Sequence, residues 1–406
     1  TVTDQYGAPQ TGVLVVAQSL LDGTLYEAAA VTDEYGKAEI SVVRSITGVD
    51  YSGQYVVYAK DMVGTSYSAK VSSTSTVSAK IVVYGAVTDT GMTGIITVTA
   101  PGYSSVNASA GKANLPDTGN AVFTLFDGSS VKTYDAGVYA DIGSAVSFTA
   151  KMLSSSGDEI PGTVTFFGSN GVTMGYAADE DGNISGMLPA GDYTMHAVGT
   201  DGSCLIKAVT VTDGADLGEI RTQDARKLTV TLTFSFGTDG QKGVAFREVQ
   251  VTLGDGQVIY GTTNSEGKAT MYIPDGVTAD VLIEGFDDAA MTCSDLTKSI
   301  SASTESATAS FNIGTVTGST VKTQSITVTE DTWLLSSASS ETADYEIAAG
   351  ASADVEPGTY YCIEENAGVY TYSKVSIYAG HTEMYTVADT EVTSMSKVEV
   401  SALTGA

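Results

Sequence analysis

The chain has two histidines, His196 and His381, so the chemistry open to it is narrow. A Ser or Cys nucleophile needs a base within reach and an acid to orient that base. Both histidines fall on predicted strands of different repeats, and nothing in the sequence pairs either with such a group. A structural role is expected for each, with no catalytic residue and no enzymatic activity. Cys204, Cys293 and Cys362 stand far apart, with no Cys-x-x-Cys and no zinc spacing. Their odd number prevents complete pairing within one chain, and each is expected as a small buried hydrophobe.

The densest run of hard oxygen ligands is Asp179-Glu180-Asp181-Gly182-Asn183, the ligand type that Ca2+ prefers. It lacks a twelve-residue loop and a terminal bidentate Glu. Asp33 and Asn264 occupy the matching place in two similar phrases, so a plain hairpin turn is the expected reading. The alternative is surface Ca2+ held by Asp179, Asp181 and Asn183, and no other cofactor is expected. Two sequons, Asn107-Ala108-Ser109 and Asn183-Ile184-Ser185, would accept glycans in an exported protein.

The elements that would carry these residues are strands. Hydrophobic residues make up 42% of the 406, enough for packed cores, and 44 Gly against seven Pro suit short strands joined by tight turns. No long amphipathic helix is legible. The 48 acidic and 19 basic residues give a net charge of −29, which repels phosphate backbones and argues against nucleic acid as a partner. No run approaches the roughly 20 apolar residues of a membrane helix. No basic-then-apolar leader precedes Thr1, so this segment is not expected to insert into a membrane.

Three phrases recur along the chain. A turn follows an opening strand at Asp4 to Gly12, Thr88 to Gly94, Gly157 to Gly162 and Asp239 to Gly243, and each leads into a β-rich run. A hairpin phrase returns as Thr32-Asp33-Glu34-Tyr35-Gly36-Lys37, as Ala178 to Ile184 and as Thr263 to Ala269. Pro-x-Gly-x-Tyr follows at Pro189 to Tyr193 and, shortened, at Pro357 to Tyr360. Closing phrases begin at Asp141, Asp216 and Asn312, spaced by roughly 75 and 96 residues, about the size of one small β-sandwich. The expected fold is all-β, a tandem array of small antiparallel Ig-like β-sandwiches over 1–78, 79–143, 144–220, 221–315 and 316–392, with a tail over 393–406.

These phrases resemble the carboxypeptidase-regulatory-like, transthyretin-like and collagen-adhesin B-type repeats of secreted proteins. The resemblance covers most of the chain and rests on short turn motifs. It implies sandwich modules found in adhesins, surface-layer proteins, stalks and appendages of exported enzymes. Some collagen-adhesin B-type repeats cross-link a first-strand Lys to a last-strand Asn, helped by a buried acid. The residues in the corresponding order here are Lys227, Asn312 and Glu248.

The two ends show complementary patterns. A strand of about eight residues leads into the turn elsewhere, as at Lys80 to Val87, whereas only Thr1-Val2-Thr3 precedes Asp4. Beyond the last repeat, Ser396-Lys397-Val398-Glu399-Val400-Ser401-Ala402-Leu403 alternates like a strand without a repeat of its own, resembling Lys227-Leu228-Thr229-Val230-Thr231. The expectation is strand donation between copies, with Val2 on the acceptor and Lys397, Val398, Val400, Ala402 and Leu403 on the donor. Such a contact is heterologous and builds an open polymer. The expected function is therefore a non-enzymatic extracellular structural subunit of a cell-surface filament or surface layer, with itself as partner. The alternatives are an adhesin gripping glycan or protein through some of its 22 Tyr, and the accessory region of a larger exported enzyme.

Overall fold

The computed structural model describes residues 1–387 other than 5–6, 22–23, 44, 47–48, 51–53, 61, 63–66, 71–76, 84–85, 102–105, 109–111, 116–121, 136, 236–240 and 289. Every helix or strand assigned within them is a strand, and none is a helix long and apolar enough to cross a membrane. The chain is an all-β tandem array of small, mainly antiparallel sandwiches.

Strand alternation builds the cores. Along Glu248–Leu253 the side chains of Val249, Val251 and Leu253 are fully buried while Glu248, Gln250 and Thr252 are partly buried. Each fully buried aliphatic side chain contributes roughly 1.5–3 kcal/mol, which selects this register over one shifted by a single residue.

An opening strand organises each sandwich. In the first repeat β1 (Val2–Asp4) pairs in parallel with β2 (Ile81–Val83). Val2, Ile81 and Val83 share a core with Val13, Val15 and Ala59 of a sheet ordered Thr24–Val31, Leu14–Leu21, Gln54–Ala59, Tyr67–Lys70. In the third repeat β3 (Val138–Leu153) lies between β4 (Asn183–Pro189), antiparallel, and β5 (Ala215–Arg221), parallel. In the fourth repeat β6 (Ala225–Ser235) lies likewise between β7 (Lys268–Pro274) and β8 (Ala307–Ile313). The fifth repeat pairs Gln324–Thr327 with Ser352–Val355 and adds a five-stranded sheet running from Tyr345–Ile347 to Met384–Thr386.

The hairpin phrase has a local physical cause. Oδ1 of Asp33, Asp179 and Asn264 accepts two backbone N–H bonds each, from the residues two and four positions on, at 2.7–3.0 Å. The following Gly36, Gly182 and Gly267 have φ near +70°, and a Cβ there would strike the carbonyl oxygens of Val2, Met152 and Leu232. Only glycine fits. In the Pro-x-Gly-x-Tyr phrases the tyrosine hydroxyl turns back, Tyr193 donating to Pro189 O at 2.7 Å and Tyr360 to Glu356 O at 2.8 Å.

Three boundaries differ from expectation, because pairing ignores the turn phrases that suggested them. The first repeat extends past 78, since β2 pairs with β1. The boundary at 143/144 falls inside β3, whose first half pairs with Ser130–Asp135 of the second repeat. Ser319–Val321 pairs with Met291–Cys293, so the fourth repeat reaches past 315. The opening strand of the fifth repeat is Gln324–Thr327, and Lys322 reaches back to Asp287 Oδ1 at 2.5 Å.

Candidate functional site

Backbone hydrogen bonds fix how the first, third and fourth repeats correspond. Val2 donates to Gly36 O at 2.7 Å, Met152 to Gly182 O at 2.7 Å and Leu232 to Gly267 O at 2.8 Å. The oxygens of these residues then accept from Gln10, Ile160 and Val244 in the turns beyond. Val2, Met152 and Leu232 therefore occupy one equivalent place.

Before that place the repeats diverge. β3 presents the seven residues Ala145–Lys151 to β4, and β6 presents the seven residues Ala225–Thr231 to β7. In the first repeat Thr1 fills the position next to Val2. No described residue fills the remaining six. The segment equivalent to β4 and β7 is 37–43, which carries no strand ladder among the described residues. Its alternation persists, with Ala38, Ile40 and Val42 half-buried and Lys37, Glu39, Ser41 and Val43 exposed. Ala38 and Ile40 pack on the core of Val2, Val13 and Ile81. Their counterparts Ala269, Met271 and Ile273 are buried because β6 lies beside them.

The segment leading into β2 is 77–80. It corresponds to the start of β8, whose Ala307–Ser310 pair in parallel with Leu228–Thr231. Residues 77–80 carry no ladder either, and Val77 is 37% exposed. Neither 37–43 nor 77–80 thus carries a ladder among the described residues, although Lys37 O accepts from Asp33, Val43 O from the Tyr55 hydroxyl and Ala79 O from the Thr1 amine.

Of the expected assembly residues, Val2 is fully buried in β1. Lys397, Val398, Val400, Ala402 and Leu403 lie outside the described residues, as does the whole tail over 393–406.

The cross-link triad is not assembled. β8 pairs with β6 so that Asn312 faces Thr233, six positions from Lys227, or roughly 20 Å at strand rise. Glu248 lies in the opposite sheet of this sandwich, on Glu248–Leu253. The order along the chain is right, but parallel register separates the Lys and Asn ends. In this register Lys227 and Asn312 are not neighbours.

Asp179 uses its carboxylate in the turn, accepting also from Asn183 Nδ2 at 3.2 Å. Asn264 makes the same backbone bonds without a charge, so turn formation accounts for the acid. Among the described residues no group of three or more His, Cys, Asp or Glu could hold a metal. Asn107 lies on Val106–Ala108 opposite Thr97, and Asn183 begins β4. The cysteines are buried in separate repeats with free thiols, and burial pushes Cys204 and Cys362 up to about 12.

Sequence reasoning missed the role of both histidines, which join repeats. His196, on the strand Gly191–Gly199, donates from Nε2 to Tyr272 O of β7 at 2.8 Å, and burial lowers its pKa to about 4, so it is neutral. His381 follows the strand Val369–Ile377 in a turn rather than lying on a strand, and its Nε2 reaches Asp4 Oδ2 at 2.6 Å. Beside it a Cβ on Gly7 would meet the Tyr378 ring at 3.4 Å. A third joint stacks Phe246 on Phe123 with centroids 5.1 Å apart, Phe246 having a positive φ of 61°. Next to it Glu248 accepts a bond from the Val122 backbone. Burial, then Glu284 and Asp135, push Glu248 up to about 7.

No protein-family model matches the chain, and no curated protein matches it. Solved structures with a partial likeness include the Bacillus anthracis TIE protein, 12% identical over 71% of this chain with a TM-score of 0.23; the match spans 64% of that protein's length. GBS52, the minor pilin of Streptococcus agalactiae, is 12% identical over 41% of this chain and 94% of its own, with a TM-score of 0.19. The shaft pilin SpaA of Lactobacillus rhamnosus GG is 9% identical over 42% of this chain and 99% of its own, with a TM-score of 0.20. At these identities and TM-scores the likenesses carry no functional argument.

Proposed function

We propose that this protein is a non-enzymatic structural subunit of an extracellular filament or surface layer, built by strand addition between copies. The observation that carries the reading is that 37–43 of the first repeat keeps the alternation of a strand and, like 77–80, carries no strand ladder among the described residues. Segments without a ladder leave half-buried apolar side chains and backbone groups in water, and strand addition buries both. The alternating segment Lys397 to Leu403 is the matching donor in sequence. Donor and acceptor differ, so each copy can give to one neighbour and take from another. The net charge of −29 suits a subunit that stays soluble until assembled.

Electron microscopy of the full chain, with and without residues 397–406, tests this. Regular polymers that vanish on deletion are expected. Polymers that persist unchanged without those residues would overturn the reading.

A second reading, ligand binding, is favoured by a cleft of about 470 Å³ between the third and fourth repeats. Half-buried Tyr260 supplies an aromatic face and Asp192 and Thr210 polar groups, the combination that grips a sugar ring. Glycan-array binding by a monomeric preparation is its test.

A further inference from the structure

We infer that the outer face of the five-stranded sheet in the fifth repeat is a stacking surface for an extended chain of neutral sugars. The site is independent of strand addition and separate from the cleft between the third and fourth repeats.

This sheet, ordered Tyr345–Ile347, Asp331–Leu335, Gly358–Asn366, Val369–Ile377 and Met384–Thr386, carries aromatic and aliphatic side chains on both faces. The inner face sends Leu334, Tyr360, Cys362 and Val375 into the core shared with Ile326 and Val355. Alternation sends Trp333, Leu335, Tyr361, Ile363, Tyr370 and Tyr372 the other way. Leu335 and Ile363 are buried there, with Trp333, Tyr361 and Tyr372 packed against them. Those three rings are half-buried and Tyr370 is 43% exposed, so the layer that meets water is aromatic. The solvated face of an antiparallel sheet is ordinarily polar, and nothing in the sandwich core requires these rings.

Their placement suits a chain of sugar rings. Trp333 and Tyr370 have centroids 6.4 Å apart with planes tilted by 45°. Trp333 and Tyr372 lie in one row with Ile363 between them, on strands roughly 10 Å apart, about the length of two rings in an extended β-linked chain. Sugar C–H faces pack on aromatic faces and leave the hydroxyls for polar neighbours.

The charges around the rings select a neutral partner. Glu346 stands opposite Trp333, and Glu365 stands between Asp331 and Tyr370. Asp331 Oδ1 accepts from Ala349 N at 2.8 Å and Glu365 Oε1 from Gly368 N, so both carboxylates are fixed and each keeps its other oxygen for a hydroxyl donor. These acids repel phosphates, uronic acids and a second copy of a chain of net charge −29. A basic peptide would find the cation position over Tyr361 already taken, since Lys374 Nζ lies 5.6 Å from that ring centroid. A neutral polyol donates to the carboxylates and accepts from the ammonium.

Trp333 is the single tryptophan, so its fluorescence reports this face alone. Titrating the full chain with cellohexaose, xylohexaose and mannohexaose should give a saturable blue shift with at least one of them, and a galacturonic acid hexamer should give none. Tyr370→Ala, at an exposed position, should weaken binding about tenfold. Tyr260→Ala, in the separate cleft, should leave the shift unchanged. No shift with any neutral hexamer, an equal shift with the acidic one, or undiminished affinity in Tyr370→Ala would overturn the proposal. A shift that appears only as chains polymerise would make a second copy the occupant and overturn it as well. Binding that leaves Trp333 unshifted and is lost in Tyr260→Ala would put the sugar in the cleft, which upholds the second reading above and overturns this one.

Discussion

His381 and Asp4, 377 residues apart in the chain, meet through an Nε2 to Oδ2 contact of 2.6 Å. The fifth repeat is thereby held against the turn of the first, with Tyr378 beside Gly7 and the Tyr385 hydroxyl 3.3 Å from His381 Nδ1. The array closes back on its first repeat.

Replacing His381 by Ala should loosen this joint without unfolding either repeat. The loss of one hydrogen bond to a carboxylate, on side chains 23% and 18% exposed, is expected to lower stability by about 1 kcal/mol. Asp4→Ala should cost more, because the same carboxylate accepts the Ala8 N–H at 2.9 Å within the turn. Small-angle scattering of a tail-deleted chain should show a larger radius of gyration for His381→Ala. An unchanged radius would show that the contact does not hold the repeats together.

Glu248 predicts a pH-dependent joint between the second and fourth repeats. Its pKa is about 7 in the fold against an ordinary 4.5, with burial the first cause and the facing acids Glu284 and Asp135 the second. Tyr260 also senses its charge. A raised pKa means that the folded state holds the proton more tightly than the unfolded chain. Its stabilising contribution is full below pH 4.5 and is lost as pH rises through 7. At about 1.4 kcal/mol per unit the difference is of the order of 3 kcal/mol. Urea midpoints should fall between pH 5 and pH 8, and Glu248→Gln should flatten that slope. An equal slope in the variant would assign the dependence to other groups.

The hairpin glycines predict a graded response to alanine. Gly267→Ala places a methyl against Leu232 O at a φ of +72° and should destabilise by at least about 3 kcal/mol, reported by chemical denaturation of the fourth repeat. Gly256→Ala, at φ +87° with open space around it, should lose only about 1 kcal/mol. Equal losses would mean that the close approach of the opening strand is not what requires glycine.

Tyr360→Phe should lower the stability of the fifth repeat by about 1–2 kcal/mol, since its hydroxyl donates to Glu356 O and the ring remains to fill the core. A thermal melt indistinguishable from the parent would reduce the motif to packing alone.

The local chemistry was legible in the sequence. Asp33, Asp179 and Asn264 mark hairpins because each bonds the backbone two and four residues on, and Gly36, Gly182 and Gly267 follow because the turn needs positive φ. Alternation in Glu248–Leu253 announces a strand with one face inward. These signals act within a few residues, so they survive without knowledge of the fold, and together they determine an all-β array of small sandwiches. What tertiary structure decided depends on register and on distant partners. The expected link from Lys227 to Asn312 had the correct chain order, yet parallel pairing sets Asn312 opposite Thr233. Phe246 on Phe123, His196 on Tyr272 and His381 on Asp4 join residues between 76 and 377 positions apart, and no local pattern encodes such meetings. The alternation of 37–43 is local and readable, whereas only packing around a common core brings Ala38 and Ile40 against Val2 and Ile81.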